Sequence, residues 1–203
     1  MTNKTIFTEA RLAGREALDE AAGKTLLAQY GIATPKSTIV QGPGNVAAAF
    51  ETLTAPVVVK VMSPDLLHKS DAGGVAIGLD SAEAVATAIR TMQQSPAISS
   101  CQIDGFLIEE MAPAGQEVVI GGAYAPQFGP MVMVGLGGIF VEIMGDVAFR
   151  LCPISESDAW AMLRELRGAP LLNGARGRKP VSERAIIDAL MRIGGSGGLL
   201  LEN

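Results

Sequence analysis

The feature that most constrains this chain is a change of rhythm near Gly105. Before it, helical and strand-like runs alternate. Leu18, Ala21, Ala22, Leu26 and Leu27 recur at helical spacing with Gly31 as a stop, and Ser37–Gln41 reads as a strand closed by Gly42-Pro43-Gly44. Asn45 then caps a helix to about Leu53, Pro56–Met62 is a β-branched buried strand, Val75–Leu79 is another, and Ser81 opens a helix to about Met92. After Gly105, strand-like runs crowd together at 105–110, 117–122, 131–135 and 139–143, with Gly and Pro between them, as in an antiparallel sheet. Ser155–Asp158 is a capping-box variant before a helix carrying Trp160, Met162, Leu163 and Leu166. A Gly/Arg-rich loop at 173–180 precedes a last helix over about 182–193, and Gly194–Gly198 has linker composition. This order indicates an α+β chain of two lobes, not a doubly wound dinucleotide fold.

Composition narrows the function classes. A net charge of −5 argues against a nucleic-acid binder, which carries a basic face. No apolar run approaches the roughly 18 residues that span a bilayer, and Met1–Lys4 leads into no signal-like segment, so a cytoplasmic protein is expected. Cys101 and Cys152, with a single histidine, make no zinc-ligand set and read as reduced thiols. Many of the 24 glycines form pairs beside apolar strands: Gly73-Gly74, Gly121-Gly122 and Gly137-Gly138. Backbone held close to a ligand needs that placement, and so do tight hairpins.

Lys60 is out of place in Val57-Val58-Val59-Lys60-Val61-Met62. An ammonium in a largely buried strand requires an anionic partner, either a nucleotide phosphate or a carboxylate, unless the strand lies at an edge and the side chain reaches water. His68 lies in a loop with Lys69, Asp71 and the Gly73-Gly74 pair. Neutral imidazole is a competent nucleophile and phosphoryl acceptor near pH 7, although a lone histidine is more often structural or simply exposed. Ile108-Glu109-Glu110-Met111 ends a strand where backbone groups can meet a purine and a carboxylate a ribose; a solvated acid pair is the plain alternative. Gly135-Leu136-Gly137-Gly138 is followed by a strand-like run instead of a helix, which argues against the dinucleotide fingerprint and suits a glycine hairpin near a ligand, with an ordinary tight hairpin as the plain alternative. Arg176 offers charge stabilisation, or is an ordinary loop arginine.

Taken in order, these segments closely resemble the ATP-grasp module (β-subunit type) of ADP-forming acetyl-CoA and acyl-CoA synthetases. The resemblance runs through Pro56–Lys60, Ser63–Val75, Ile108–Pro113, Gly115–Glu117, Pro126–Pro130, Gly135–Glu142 and Leu172–Gly177, across about residues 15 to 193. It implies an ATP-grasp fold of two lobes clamping a nucleotide: a single domain over 1–203, with an N-terminal lobe at 15–104 bearing the phosphohistidine loop and a C-terminal lobe at 105–203. His68 would be the mobile phosphohistidine. Lys60 would hold nucleotide phosphates; Glu109, Glu110 and Met111 would border the adenosine, with Glu117 a further nucleotide contact. Gly73, Gly74, Gly137, Gly138 and Arg176 would serve the phosphate loops and charge stabilisation. The implied cofactors are ATP/ADP and Mg²⁺. The implied partner is a CoA-binding α subunit, which handles acyl phosphate and CoA, in the reaction acyl-CoA + ADP + phosphate = carboxylic acid + CoA + ATP. A non-catalytic nucleotide-binding or regulatory module, or the ATP-grasp module of a protein acetyltransferase, is the alternative.

The pattern departs from the family in two places. Ala125 stands where relatives usually carry Asp, and the Asp-x-Asn-Pro segment expected after Asn203 would supply the metal ligands and complete the second lobe. A truncated C-terminal lobe is therefore expected.

Overall fold

A computed structural model describes residues 3–15, 17–66, 68–137, 141, 143–174 and 180–202. The chain divides into two compact units, one of residues 1–28 and 33–113, the other of residues 29–32 and 114–203.

The first unit is a four-stranded antiparallel sheet in the order β1-β4-β2-β3, from β1 (Ser37–Val40), β2 (Val57–Met62), β3 (Val75–Leu79) and β4 (Gly105–Glu110). Alternation along β2 sends Val57, Val59 and Val61 into a core with Phe106 and Ile108 of β4 and Val85, Ile89 and Met92 of the long helix Ala82–Gln94. That helix begins where Ser81 accepts the Ala84 N–H at 3.2 Å. On the alternating positions lie Val58, Lys60 and Met62 of β2, register partners of Glu109, Leu107 and Gly105. Two further helices, α1 (Asn3–Leu12) and α2 (Glu20–Gln29), precede the sheet; Gly31, at φ +70°, stops α2 as expected.

The second unit holds a three-stranded antiparallel sheet, β5 (Val118–Ala125), β6 (Gly129–Leu136) and β7 (Val147–Leu151). Val132, Val134, Leu136 and Ala148 pack against Met162 and Leu163 of the helix Glu156–Glu165 and Ile187 and Leu190 of the helix Glu183–Gly194. The capping box forms as read: Ser155 Oγ accepts the Asp158 N–H at 3.2 Å, and Asp158 Oδ2 accepts the Ser155 N–H at 2.8 Å.

Several local expectations need correcting. The strand at 105–110 hydrogen-bonds into the first sheet, between β1 and β2, so it belongs with the N-terminal unit and not with the strand-rich half. Asn45 gives no side-chain cap, because a 3-10 turn over Pro43–Asn45 leads straight into a helix of only Val46–Phe50. The helix expected to run to Leu53 ends there because Thr52 and Leu53 turn back onto the Ala49 and Phe50 carbonyls. Strand β7 was not foreseen, and the strand expected over 139–143 falls mostly outside the described residues. Gly194–Gly198 is not a free linker: Gly194 O accepts the Ile154 N–H at 2.9 Å, and a Cβ on Gly194 would lie 2.8 Å from Val132 Cγ1. The missing side chain lets helix and sheet close together.

Candidate functional site

The unpaired charge that Lys60 presents to the sequence is met by carboxylates. Its ammonium lies 2.5 Å from Glu20 Oε1 and 3.5 Å from Glu109 Oε1. Glu109, whose side chain is only 8% exposed, also forms an ion pair with Lys24 of α2. Glu20 lies 3.5 Å from Lys24 through Oε1 and 3.6 Å from Lys69 through Oε2. Three lysines and two glutamates thus form one network on the face of the first sheet that carries Lys60 and Glu109. Such a half-buried network is tolerated because every charge has an opposite neighbour.

The network shifts the groups within it. Burial works against the Glu20 carboxylate, yet the hydrogen bond from Lys60 and the charges of Lys60, Lys24 and Lys69 hold it below the usual carboxylate range. Lys24 is pushed down chiefly by burial, with the positive charges of Lys60 and Lys69 adding to it and Glu20 opposing. Glu20 and Lys69 also line a cavity of about 850 Å³ in this unit, together with Arg15, Met62, Ser63 and Gln102.

His68 lies beside this network in sequence and is exposed. The turn that carries it is closed by its own backbone: Ala72 N–H to His68 O at 3.3 Å, Gly73 N–H to Ser70 O at 3.1 Å and Gly74 N–H to Lys69 O at 2.7 Å. Gly73 needs its freedom, at φ +73°. Gly74 is buried, and a Cβ there would lie 2.5 Å from Val61 Cγ1, so it serves close packing of the turn on β2.

The adjacent acids part company. Glu109 faces Lys60, whereas Glu110 Oε1 accepts the Thr54 N–H at 2.8 Å, as alternation along a strand demands. Met111 is exposed just past the strand end, its N–H bonded to Pro56 O at 3.2 Å. Glu117 and Gly137 lie together in the second unit, where the Gly137 N–H reaches Glu117 O at 2.9 Å. Gly138 and Arg176 lie outside the described residues. Sequence reasoning missed Glu20 and Lys24. Their signal was an acid and a base four apart on one helix face, facing a strand lysine in need of a counter-charge.

Among the described residues no group of three or more His, Cys, Asp or Glu side chains comes together to hold a metal. The two clustered carboxylates, Glu20 and Glu109, are both engaged by lysines. These residues do not fit a divalent cation. They fit an anion better, since the network carries three positive charges against two negative.

The chain matches the model of the ATP-grasp domain over residues 9–195. It is 42% identical over 193 residues to the β subunit of the ADP-forming acetate–CoA ligase I of Pyrococcus furiosus, covering 94% of this chain and 83% of that protein. It is 36% identical to the ADP-forming 4-hydroxybutyrate–CoA ligase of Nitrosopumilus maritimus, covering 28% of that longer protein. Among solved structures, the dinucleotide forming acetyl-coenzyme A synthetase 1 of Ca. Korarchaeum cryptofilum, in complex with coenzyme A, Ca-AMPCP and HgCl+, superposes with a TM-score of 0.94 at 39% identity, over 100% of this chain and 88% of that one. The same protein with coenzyme A and Mg-AMPPCP, its phosphohistidine segment pointing towards the nucleotide binding site, gives a TM-score of 0.82 at 39% identity, over 95% and 84%.

The class is thereby defined: the chain belongs to the ATP-grasp family. More particularly, it is of the β-subunit type of the ADP-forming acyl-CoA ligases, and so a subunit of an acid–thiol ligase. Among the described residues no helix is long and apolar enough to cross a membrane.

Proposed function

We infer that this chain is the nucleotide-handling subunit of an ADP-forming acyl-CoA synthetase, and that it passes a phosphoryl group between His68 and ADP/ATP. The observation that carries this reading is the exposure of His68 next to Lys69, whose ammonium belongs to the Lys60 network. In the direction of ATP use, the unprotonated imidazole nitrogen of His68 attacks the γ-phosphorus. A P–N bond forms, the bond to the bridging oxygen of ADP breaks, ADP leaves, and the proton on the other ring nitrogen passes to solvent. In reverse, ADP takes the group and becomes ATP.

Phosphoryl transfer asks the protein for positioning and charge neutralisation more than for covalent chemistry. Lys60 and Lys69 supply positive charge from a rigid strand and from the His68 turn. Glu109, Glu110, Met111 and Glu117 are proposed to border the nucleotide, with Gly73, Gly74, Gly137, Gly138 and Arg176 serving phosphate. Magnesium would accompany the nucleotide as its counter-ion and lower the charge on the phosphate oxygens; the lysine–glutamate network would not hold it. A CoA-binding α subunit is the partner that exchanges the group with acyl phosphate. Relatives named as β subunits and a relative with a phosphohistidine segment support this division of labour.

The test is incubation with γ-labelled ATP, Mg²⁺ and the α subunit. Acid-labile, alkali-stable label at His68, absent from His68→Ala, is the expected result; label persisting in that variant would remove the mechanism.

A further inference from the structure

The geometry points to Glu20 as a positioning residue for this phosphoryl transfer: its two carboxylate oxygens tie the strand lysine, Lys60, to the lysine of the histidine turn, Lys69, and so hold His68 beside the strand. The inference rests on the function proposed above and adds a residue to it. Oε1 lies 2.5 Å from Lys60 and Oε2 lies 3.6 Å from Lys69. Among the described residues no other carboxylate bridges that strand and that turn; Glu109 reaches Lys24 and Lys60 only.

The mount is rigid. Glu20 opens α2 directly after Asp19, whose Oδ1 accepts the Ala22 N–H at 2.8 Å. Asp19 also pairs with Arg15 at 3.6 Å, and Arg15 with Asp104 at 2.8 Å. A carboxylate in the first turn of a helix is favoured by the unsatisfied N–H groups there. The load is compact too. The turn over 68–74 is closed by its own hydrogen bonds and joins β2 through Val61 N–H to Gly74 O at 2.9 Å, so restraining Lys69 restrains His68.

Glu20 also competes with any phosphate for Lys60. Removing its charge therefore has two opposite effects, which loss of structure does not imitate: the lysine is freed for nucleotide while the histidine turn is untied. Labelling of His68 by ATP, measured at increasing ATP in wild type, Glu20→Gln, Lys69→Gln and the double variant, separates them. The expected result for Glu20→Gln is a lower half-saturating ATP concentration with a maximal rate reduced roughly 10- to 100-fold. Lys69→Gln loses at least that factor in rate, because its own charge goes with the tether, and the double variant loses no more than Lys69→Gln alone. Weaker ATP binding together with a slower rate in Glu20→Gln, or multiplying losses in the double variant, overturns the proposal. Amide hydrogen exchange at residues 72–74 runs alongside: both single variants should speed it equally, and the double no further, whereas unchanged exchange removes the tether. If wild type takes no label at all, the proposed function falls, and the exchange data still decide the tether.

Discussion

Lys60 and Glu20 are 40 residues apart in sequence, yet their charged atoms lie 2.5 Å apart. The strand lysine arrives on β2 because alternation turns it away from the valine core, and the glutamate arrives on the first turn of α2. Neither burial is favourable alone. Each is tolerated because the other is there, and because Lys24, Lys69 and Glu109 complete the neutralisation.

Replacing Lys60 by Met should therefore destabilise the protein although methionine suits a strand interior. It leaves Glu109, almost wholly buried, with Lys24 alone, and takes the nearest cation from Glu20. Breaking a fully buried pair costs about 3–5 kcal/mol, and with Lys60 a quarter exposed the expected loss is about 2 kcal/mol. Urea unfolding at pH 7 measures it. The double variant Lys60→Met with Glu20→Gln should recover part of the loss, since only Glu109 then remains as a carboxylate opposite the methionine, and it keeps Lys24.

The network also sets an acid limit. Glu20 is held below its ordinary value of 4.5, so below that pH the unfolded chain binds more protons than the folded one, and stability falls as pH falls. The sign is that of any carboxylate stabilised in the fold: the contribution is fully present above about pH 4.5 and is lost as pH drops through the lowered value. Wild type and Glu20→Gln should differ most in unfolding free energy at neutral pH and converge on acidification. A gap that stays constant from pH 7 to pH 3 would show that the charge of Glu20 carries no stability.

How far this was legible in the sequence depends on whether a cue was local. Val57–Met62 announced a buried strand by its β-branched run, and Lys60 within it announced a missing counter-charge. The identity of the counter-charge was not legible, because Glu20 and Lys24 look like any solvated i,i+4 pair until α2 is placed on the sheet. The Glu109-Glu110 pair read as one feature, but strand alternation splits it into two environments. Strand β7, Val147–Leu151, was hidden by Arg150 and its neighbours, whose side chains lie half out of the core. The Gly194–Gly198 run looked like a linker because composition cannot distinguish a glycine needed for freedom from one needed for closeness.

Asp146 offers a test confined to the second unit. It is 6% exposed, and its carboxylate accepts the Arg167 N–H and the Gly168 N–H, each at 2.8 Å, where the chain enters the 3-10 turn Ala169–Asn173. Asp146→Ala leaves two backbone donors without partners, and each unsatisfied buried donor costs about 1–3 kcal/mol, so a loss of about 3 kcal/mol is expected. Asp146→Asn keeps one acceptor oxygen and should lose about half as much. Thermal unfolding of the three proteins gives the order.

The adjacent glycines of the histidine turn should fail for different reasons, and that difference is measurable. Gly73 sits at φ +73° with open space around its missing side chain, so alanine there meets only backbone strain, about 1–2 kcal/mol. Asparagine tolerates that backbone better, so Gly73→Asn should be milder than Gly73→Ala. Gly74 has no such strain, but a Cβ would lie 2.5 Å from Val61 Cγ1 and 3.0 Å from Lys69 O. Gly74→Ala must push the turn off β2 at a cost of about 1–3 kcal/mol, and asparagine there should be worse than alanine. Val61→Ala, itself costly in the valine core, should cost less on top of Gly74→Ala than alone because it opens the space the new Cβ needs, yet cost its full amount on top of Gly73→Ala. Urea unfolding of the set reads both patterns; a reduced cost of Val61→Ala on top of Gly73→Ala would place the conflict in packing at both positions and overturn the distinction.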